Sequence, residues 1–270
     1  MTFKDLEKRL EESGKWADLT TTLTVIRERV SEDYARTLCY FLSIISDLEQ
    51  NQIRDYAVIG GYGVVLHLVN RLGEGMLPLW RGSDDIDLGA QSLSVESLLK
   101  GYYSHFERRE SHFHERKIDI EVTDAELQKR CIIDMYLVFK GQPVPLQDYR
   151  LDDGFWKRAE YLKIFNMEVP VASKKDLLQM KLAVRTPKAG LPRKQDIYDI
   201  FTLLGLLGKE ENVQQTWDHL PAYGKSALKR IFSLPDYDTN VKIYELKVLM
   251  LPLGHYLEGL RNLTDRVQEF

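Results

Sequence analysis

The stretch WRGSDDIDLG (80–89) places Asp85 and Asp87 at alternate positions, with Ile86 and Leu88 between them. In a strand, residues two apart point to the same face. Two carboxylates arranged in that way repel each other and resist burial. A divalent cation removes both problems. Oxygen-only ligation suits Mg2+ (or Mn2+), which takes carboxylates together with substrate phosphates. Asp84 has the opposite phase and reads as a solvated or capping residue. Arg81 and Ser83 share the phase of the two ligands and can offer a guanidinium and a hydroxyl to a phosphate.

A third ligand is expected on another strand. CIIDMYLV (131–138) carries a single acid, Asp134, in an otherwise apolar run, where an unpaired carboxylate is costly. Asp119 and Glu121 of KIDIEV (117–122) also alternate, but beside Arg116 and Lys117 they read as a solvated strand face. Asp134 is therefore preferred. Upstream, YAVIGG (56–61) reads as a strand closed by a tight turn. Gly60 and Gly61 there would let backbone amides approach a ligand, with a helix N-terminus behind them.

The elements around these residues follow from hydrophobic periodicity. Residues 1–52 have helical spacing (Tyr34, Leu38, Phe41, Leu42, Ile45, Leu48), with Arg36, Asp47 and Glu49 on the surface. A helix is predicted over 62–72, a loop over 73–80, a strand over 81–90 and a helix over 92–106 capped by Ser94. Strands follow at 117–122 and 131–141, and 123–130 is a turn or short helix. Residues 142–170 are mixed and contain one short helix. SKKD (173–176) is a variant capping box opening a helix to Arg185. A loop (186–194) and a helix over 195–207 come next, then further helices broken at Pro252. The expected fold class is α+β: a small mixed β-sheet core (53–170) with an N-terminal helical segment (1–52) and a helical C-terminal domain (171–270).

The combination of GG, helix, R-x-S-x-D-I-D-L and a lone Asp on a later apolar strand resembles the nucleotidyltransferase superfamily with the polymerase-β-like fold. Within it, SKKDLLQMKLAVR (173–185) and RKQDIYDIFTLL (193–204) resemble the AbiEii-like toxins and their minimal-nucleotidyltransferase relatives. Two positions depart from that pattern. Gly61 stands where the superfamily often has Ser, and Gln195 where the relatives have Lys, with Lys194 one residue early. The resemblance implies Mg2+ on Asp85, Asp87 and Asp134, with Gly60, Gly61, Arg81, Ser83, Lys181 and Asp196 orienting an NTP. It implies transfer of NMP to a hydroxyl on RNA, such as tRNA, or on a protein, and a cognate antitoxin as partner. Taken by itself, Lys181 edges an apolar stripe and could snorkel, and Asp196 and Asp199 could answer the helix dipole.

Two alternatives stand beside this reading: transfer to a small hydroxylated antibiotic, and a non-catalytic nucleotide-binding or antitoxin-like module. Retention of all three acids speaks against the second. The chain has 270 residues, 44% hydrophobic, with a formal net charge of −4, so bulk nucleic-acid binding would need a local patch. Cys39 and Cys131 lie in apolar runs and read as reduced core thiols. The charged start and the lack of an apolar run of about 20 residues predict a soluble, cytoplasmic protein without membrane contact. His105, His112 and His114 read as surface histidines, since no Cys or further spacing completes a zinc site.

Overall fold

The computed structural model describes residues 3–12, 19–79, 82–103, 106–110, 116–123, 130–164, 166–184, 192–237 and 253–266. Arg81, the three clustered histidines, Arg185 and Pro252 lie outside them. The chain forms two compact units, residues 1–144 with 151–172, and residues 145–150 with 173–270. The architecture is α+β, with a mixed sheet and eleven α-helices among the described residues. No helix of these is long and apolar enough to cross a membrane.

In the first unit, helices α1 (Phe3–Glu12), α2 (Leu19–Arg29) and α3 (Glu32–Gln50) precede strand β1 (Tyr56–Val58) and helix α4 (Gly60–Leu72). Then come β2 (Asp85–Ala90), α5 (Ser94–Tyr102), β3 (Phe106–Glu110), β4 (Lys117–Thr123) and β5 (Arg130–Leu137). A two-stranded hairpin of β6 (Val144–Leu146) and β7 (Tyr149–Leu151), whose residues 145–150 belong to the second unit, follows, and then in the first unit α6 (Asp153–Arg158), β8 (Glu160–Ile164) and β9 (Met167–Val171). Seven strands make one sheet in the order β3-β4-β5-β2-β1-β9-β8. β2 pairs parallel with β5 and antiparallel with β1, while β4 pairs antiparallel with β5.

Alternation divides the central strands cleanly. Ile86, Leu88, Ile118, Ile120, Ile133 and Met135 are buried on one face. The other face carries Asp85, Asp87, Asp119, Glu121, Ile132 and Asp134, all incompletely buried. Helices α3 and α4 pack against the sheet and against each other, where the rings of Phe41 and Tyr62 stack at 4.2 Å.

Several elements differ from the periodicity. α3 is buried all round, so Arg36 and Asp47 are interior rather than surface residues. Each has an ionic partner, Asp33 at 2.9 Å and Arg9 at 2.7 Å, as a buried charge requires. The helix at α5 stops at Tyr102, and strand β3 takes its predicted last residue. Ser94 does not cap α5: the N-cap is Leu93, and the Ser94 hydroxyl donates to Asp55 at 2.7 Å. The region 142–170 contains four short strands in addition to its helix.

The second unit holds α7 (Lys174–Ala183), α8 (Lys194–Leu207), α9 (Val213–His219), α10 (Ala222–Phe232) and α11 (Gly254–Arg266). Ser173 caps α7 by accepting the Asp176 amide at 3.1 Å. Tyr149, from the hairpin, donates to the buried Asp176 carboxylate at 2.6 Å and ties this segment to α7.

Neighbouring isoleucines on β5 give a direct check on the sheet's two faces. Ile133 is fully buried and Ile132 is 42% exposed. Ile133→Ala should cost about 2–5 kcal/mol and Ile132→Ala under about 1 kcal/mol, read as shifts of the urea midpoint. Equal shifts would contradict the assigned faces.

Candidate active site

The register of three strands lines up the acids. Asp87 of β2 faces Asp134 of β5, and Asp134 faces Asp119 of β4. Adjacent strands lie about 4.8 Å apart, so carboxylates in such a row are near neighbours. Asp85, Asp87 and Asp134 each offer an oxygen within 4.8 Å of the others, and all three are half-buried. That is a hard, oxygen-only set of the kind Mg2+ or Mn2+ accepts. Asp119 lies one strand farther away. Asp84 has the opposite phase and is exposed.

Ser83 leads into β2 and is buried. Its hydroxyl donates to Asp85 Oδ1 at 2.8 Å, which fixes the first carboxylate. Gly60 touches the second. It is the first residue of α4, so the paired glycines form a helix start and not a separate turn. Gly60 has φ of +62°, and a Cβ built there would fall 2.6 Å from Asp87 Cγ. Only glycine permits both the backbone angle and this approach. Gly61 follows in the first turn, where amides have no partner within the helix and the helix dipole favours an anion. At the other end of β2, a Cβ built on Gly89 would lie 3.5 Å from the rings of both Phe155 and Trp156 of α6, so aromatic rings bound the acidic face there.

The Asp134 carboxyl is raised from its ordinary value. Burial is the main cause, and the Lys117 ammonium 2.6 Å away opposes it only in part. Lys117 also lies 3.0 Å from Asp119. Burial disfavours its charge, but hydrogen bonds and attraction from the two acids outweigh this and raise its pKa. Lys117 is the residue that reading the sequence missed. Its phase matches that of Asp119, which placed both on one face, but the third partner comes from another strand.

Lys181 and Asp196 lie together in the second unit. Lys181 is buried, with its ammonium 3.1 Å from Asp196 and 2.8 Å from Asp199, both fully buried. It neither snorkels nor stands free. Arg193 reaches Asp196 at 2.7 Å. Desolvation would raise the Asp196 pKa, but Arg193 and Lys181 outweigh it and the carboxyl is lowered. Asp196 and Asp199 thus hold a lysine, beyond whatever they gain from the dipole of α8.

No family model matches the chain. No curated protein matches it either. Among solved structures, JHP933 from Helicobacter pylori is similar, at 14% identity and a TM-score of 0.50, over 89% of this chain and 94% of that one. The two share a fold. A candidate nucleotidyltransferase from H. pylori aligns at 15% identity and a TM-score of 0.48, covering 89% of this chain and 96% of its own. An antigenic nucleotidyltransferase-like protein from Paracoccidioides brasiliensis aligns at 20% identity and 0.41, over 74% and 88%.

Two outcomes follow from these contacts. Gly60→Ala should lose about 1–3 kcal/mol through the backbone angle, besides displacing Asp87. Gly101→Ala, in a helix with no atom within 4 Å, should be neutral or gain up to about 1 kcal/mol. Thermal denaturation of both separates strain from a general effect of adding a methyl group. For Asp196, the lowered carboxyl contributes stability above its unfolded pKa of about 4 and loses it as pH falls through the lower native value. Asp196→Asn should therefore destabilise by about 3 kcal/mol at neutral pH, with the difference from wild type shrinking below about pH 4. A difference that stays constant to pH 2.5 would contradict this.

Proposed function

We propose that the chain is a metal-dependent nucleotidyltransferase that moves NMP from an NTP to a hydroxyl acceptor. The observation that carries this reading is the convergence of Asp85, Asp87 and Asp134 within 4.8 Å, on the face of the sheet where Gly60 opens a helix against Asp87. The carboxylate set fits Mg2+ or Mn2+, and such an ion would supply Lewis acidity and charge neutralisation at the reacting phosphate.

Asp85, Asp87 and Asp134 would hold the ion, Asp85 being fixed by Ser83. The first turn of α4, with the close backbone at Gly60 and Gly61, would receive phosphate oxygens. Arg81 supplies a guanidinium next to the acids in sequence. Lys181 and Asp196, for which the resemblance of 173–204 to the AbiEii-like pattern implies nucleotide contact, are buried against each other within the second unit. The acceptor oxygen attacks the α-phosphorus in line, a new P–O bond forms, and pyrophosphate leaves. Asp134 would accept the proton from the acceptor hydroxyl. The same resemblance supports RNA, such as a tRNA end, or a protein as acceptor. It also supports a toxin's role beside a cognate antitoxin.

Removing a carboxylate should lower transfer by about 10²-fold or more. Asp85→Asn and Asp87→Asn should each abolish labelled-NMP transfer to total RNA or protein. Asp84→Asn should retain it. Transfer that persists in the double variant Asp85→Asn/Asp87→Asn rules the reading out.

A further inference from the structure

The row Asp87–Asp134–Asp119 crosses three strands and therefore has two gaps between acids. Lys117 fills the second gap. Its ammonium is 2.6 Å from Asp134 Oδ2 and 3.0 Å from Asp119 Oδ1. It is held there from several sides. It is in register with Tyr136, its ammonium lies 5.8 Å from that ring's centroid, and its side chain is only 17% exposed.

Resting on the reading of Asp85, Asp87 and Asp134 as ion ligands, we infer that Lys117 is a positioning residue that ties divalent-ion binding to the arrival of nucleotide. It takes one oxygen of Asp134 and leaves the carboxylate fixed but partly neutralised. The carboxylates of Asp85, Asp87, Asp134 and Asp119 with one ammonium carry a net charge of −3, and a divalent ion must approach with a full positive charge one strand away. Phosphates arriving with the nucleotide add the negative charge that the lysine offsets. Lys117 also orders Asp134, which by itself would strengthen ion binding. Ordering one short side chain is the smaller effect beside a unit charge at this distance. The lysine's charge therefore weakens the hold of the acids on a lone ion.

The test is Mn2+ binding by electron paramagnetic resonance, with and without a non-hydrolysable NTP analogue. Removing the charge in Lys117→Met or Lys117→Gln should tighten binding of Mn2+ alone by about tenfold and narrow the gap between the two conditions. Lys117→Arg should behave as wild type. Arg130→Met removes a cation that pairs with Glu121 at 3.4 Å on the same face, and should shift Mn2+ affinity by less than about threefold. Unchanged or weaker Mn2+ binding in both neutral variants overturns the inference, as does an Arg130→Met shift as large as theirs. If wild type takes up Mn2+ with the analogue and the Lys117 variants alter nothing, the ion site stands and only the role of Lys117 falls. If neither wild type nor any variant binds Mn2+ in either condition, the proposed function itself falls.

Discussion

Acids that repel across neighbouring strands set the terms for the first unit. Asp87, Asp134 and Asp119 are brought into one row by the pairing of β2, β5 and β4. The sheet cannot avoid this, because a one-residue slip would turn Ile86, Leu88, Ile133 and Met135 out of the core. Burial of the apolar face therefore dictates the crowding of the polar one. The structure answers with a lysine in one gap, a serine hydroxyl on Asp85 and a glycine where Asp87 needs room.

The second unit meets a similar problem with a different arrangement. Lys181 is buried between two carboxylates on the neighbouring helix, and Arg193 adds a further cation to Asp196. Charges this far from water are tolerated only when each has partners, and removing one strands the rest. Ser173, Asp176 and Tyr149 form a comparable closed set at the start of α7.

Much of this was legible in the sequence where side chains alternate or repeat strongly. The phase of Asp85 and Asp87, the strands at β4 and β5 and the helix α8 follow from period, and α7 follows from the capping residues Ser173 and Asp176 at its start. Strand β3 was not legible, because FERRE has no apolar alternation and forms an edge where charge is favoured. β8 and β9 are five residues each, too short to stand out in a mixed stretch. Gly60 read as a turn because a positive φ at a helix start leaves no mark beyond the glycine itself. Pairings such as Lys117 with Asp134, or Lys181 with Asp199, depend on which elements become neighbours, and period does not report that.

The parallel pairing of β2 with β5 has a consequence for how the chain folds. Parallel strands cannot be joined by a tight turn, and here the crossover contains α5, β3 and β4. Asp87 and Asp134 are about 50 residues apart in sequence, so they meet only after a large loop has closed. α3 and α4 need no such search. The acids stay solvated and apart on separate segments until Ile86, Leu88, Ile133 and Met135 have a surface to bury against. The chain's most repulsive neighbourhood is thus assembled late, by hydrophobic contacts on the opposite side of the same strands.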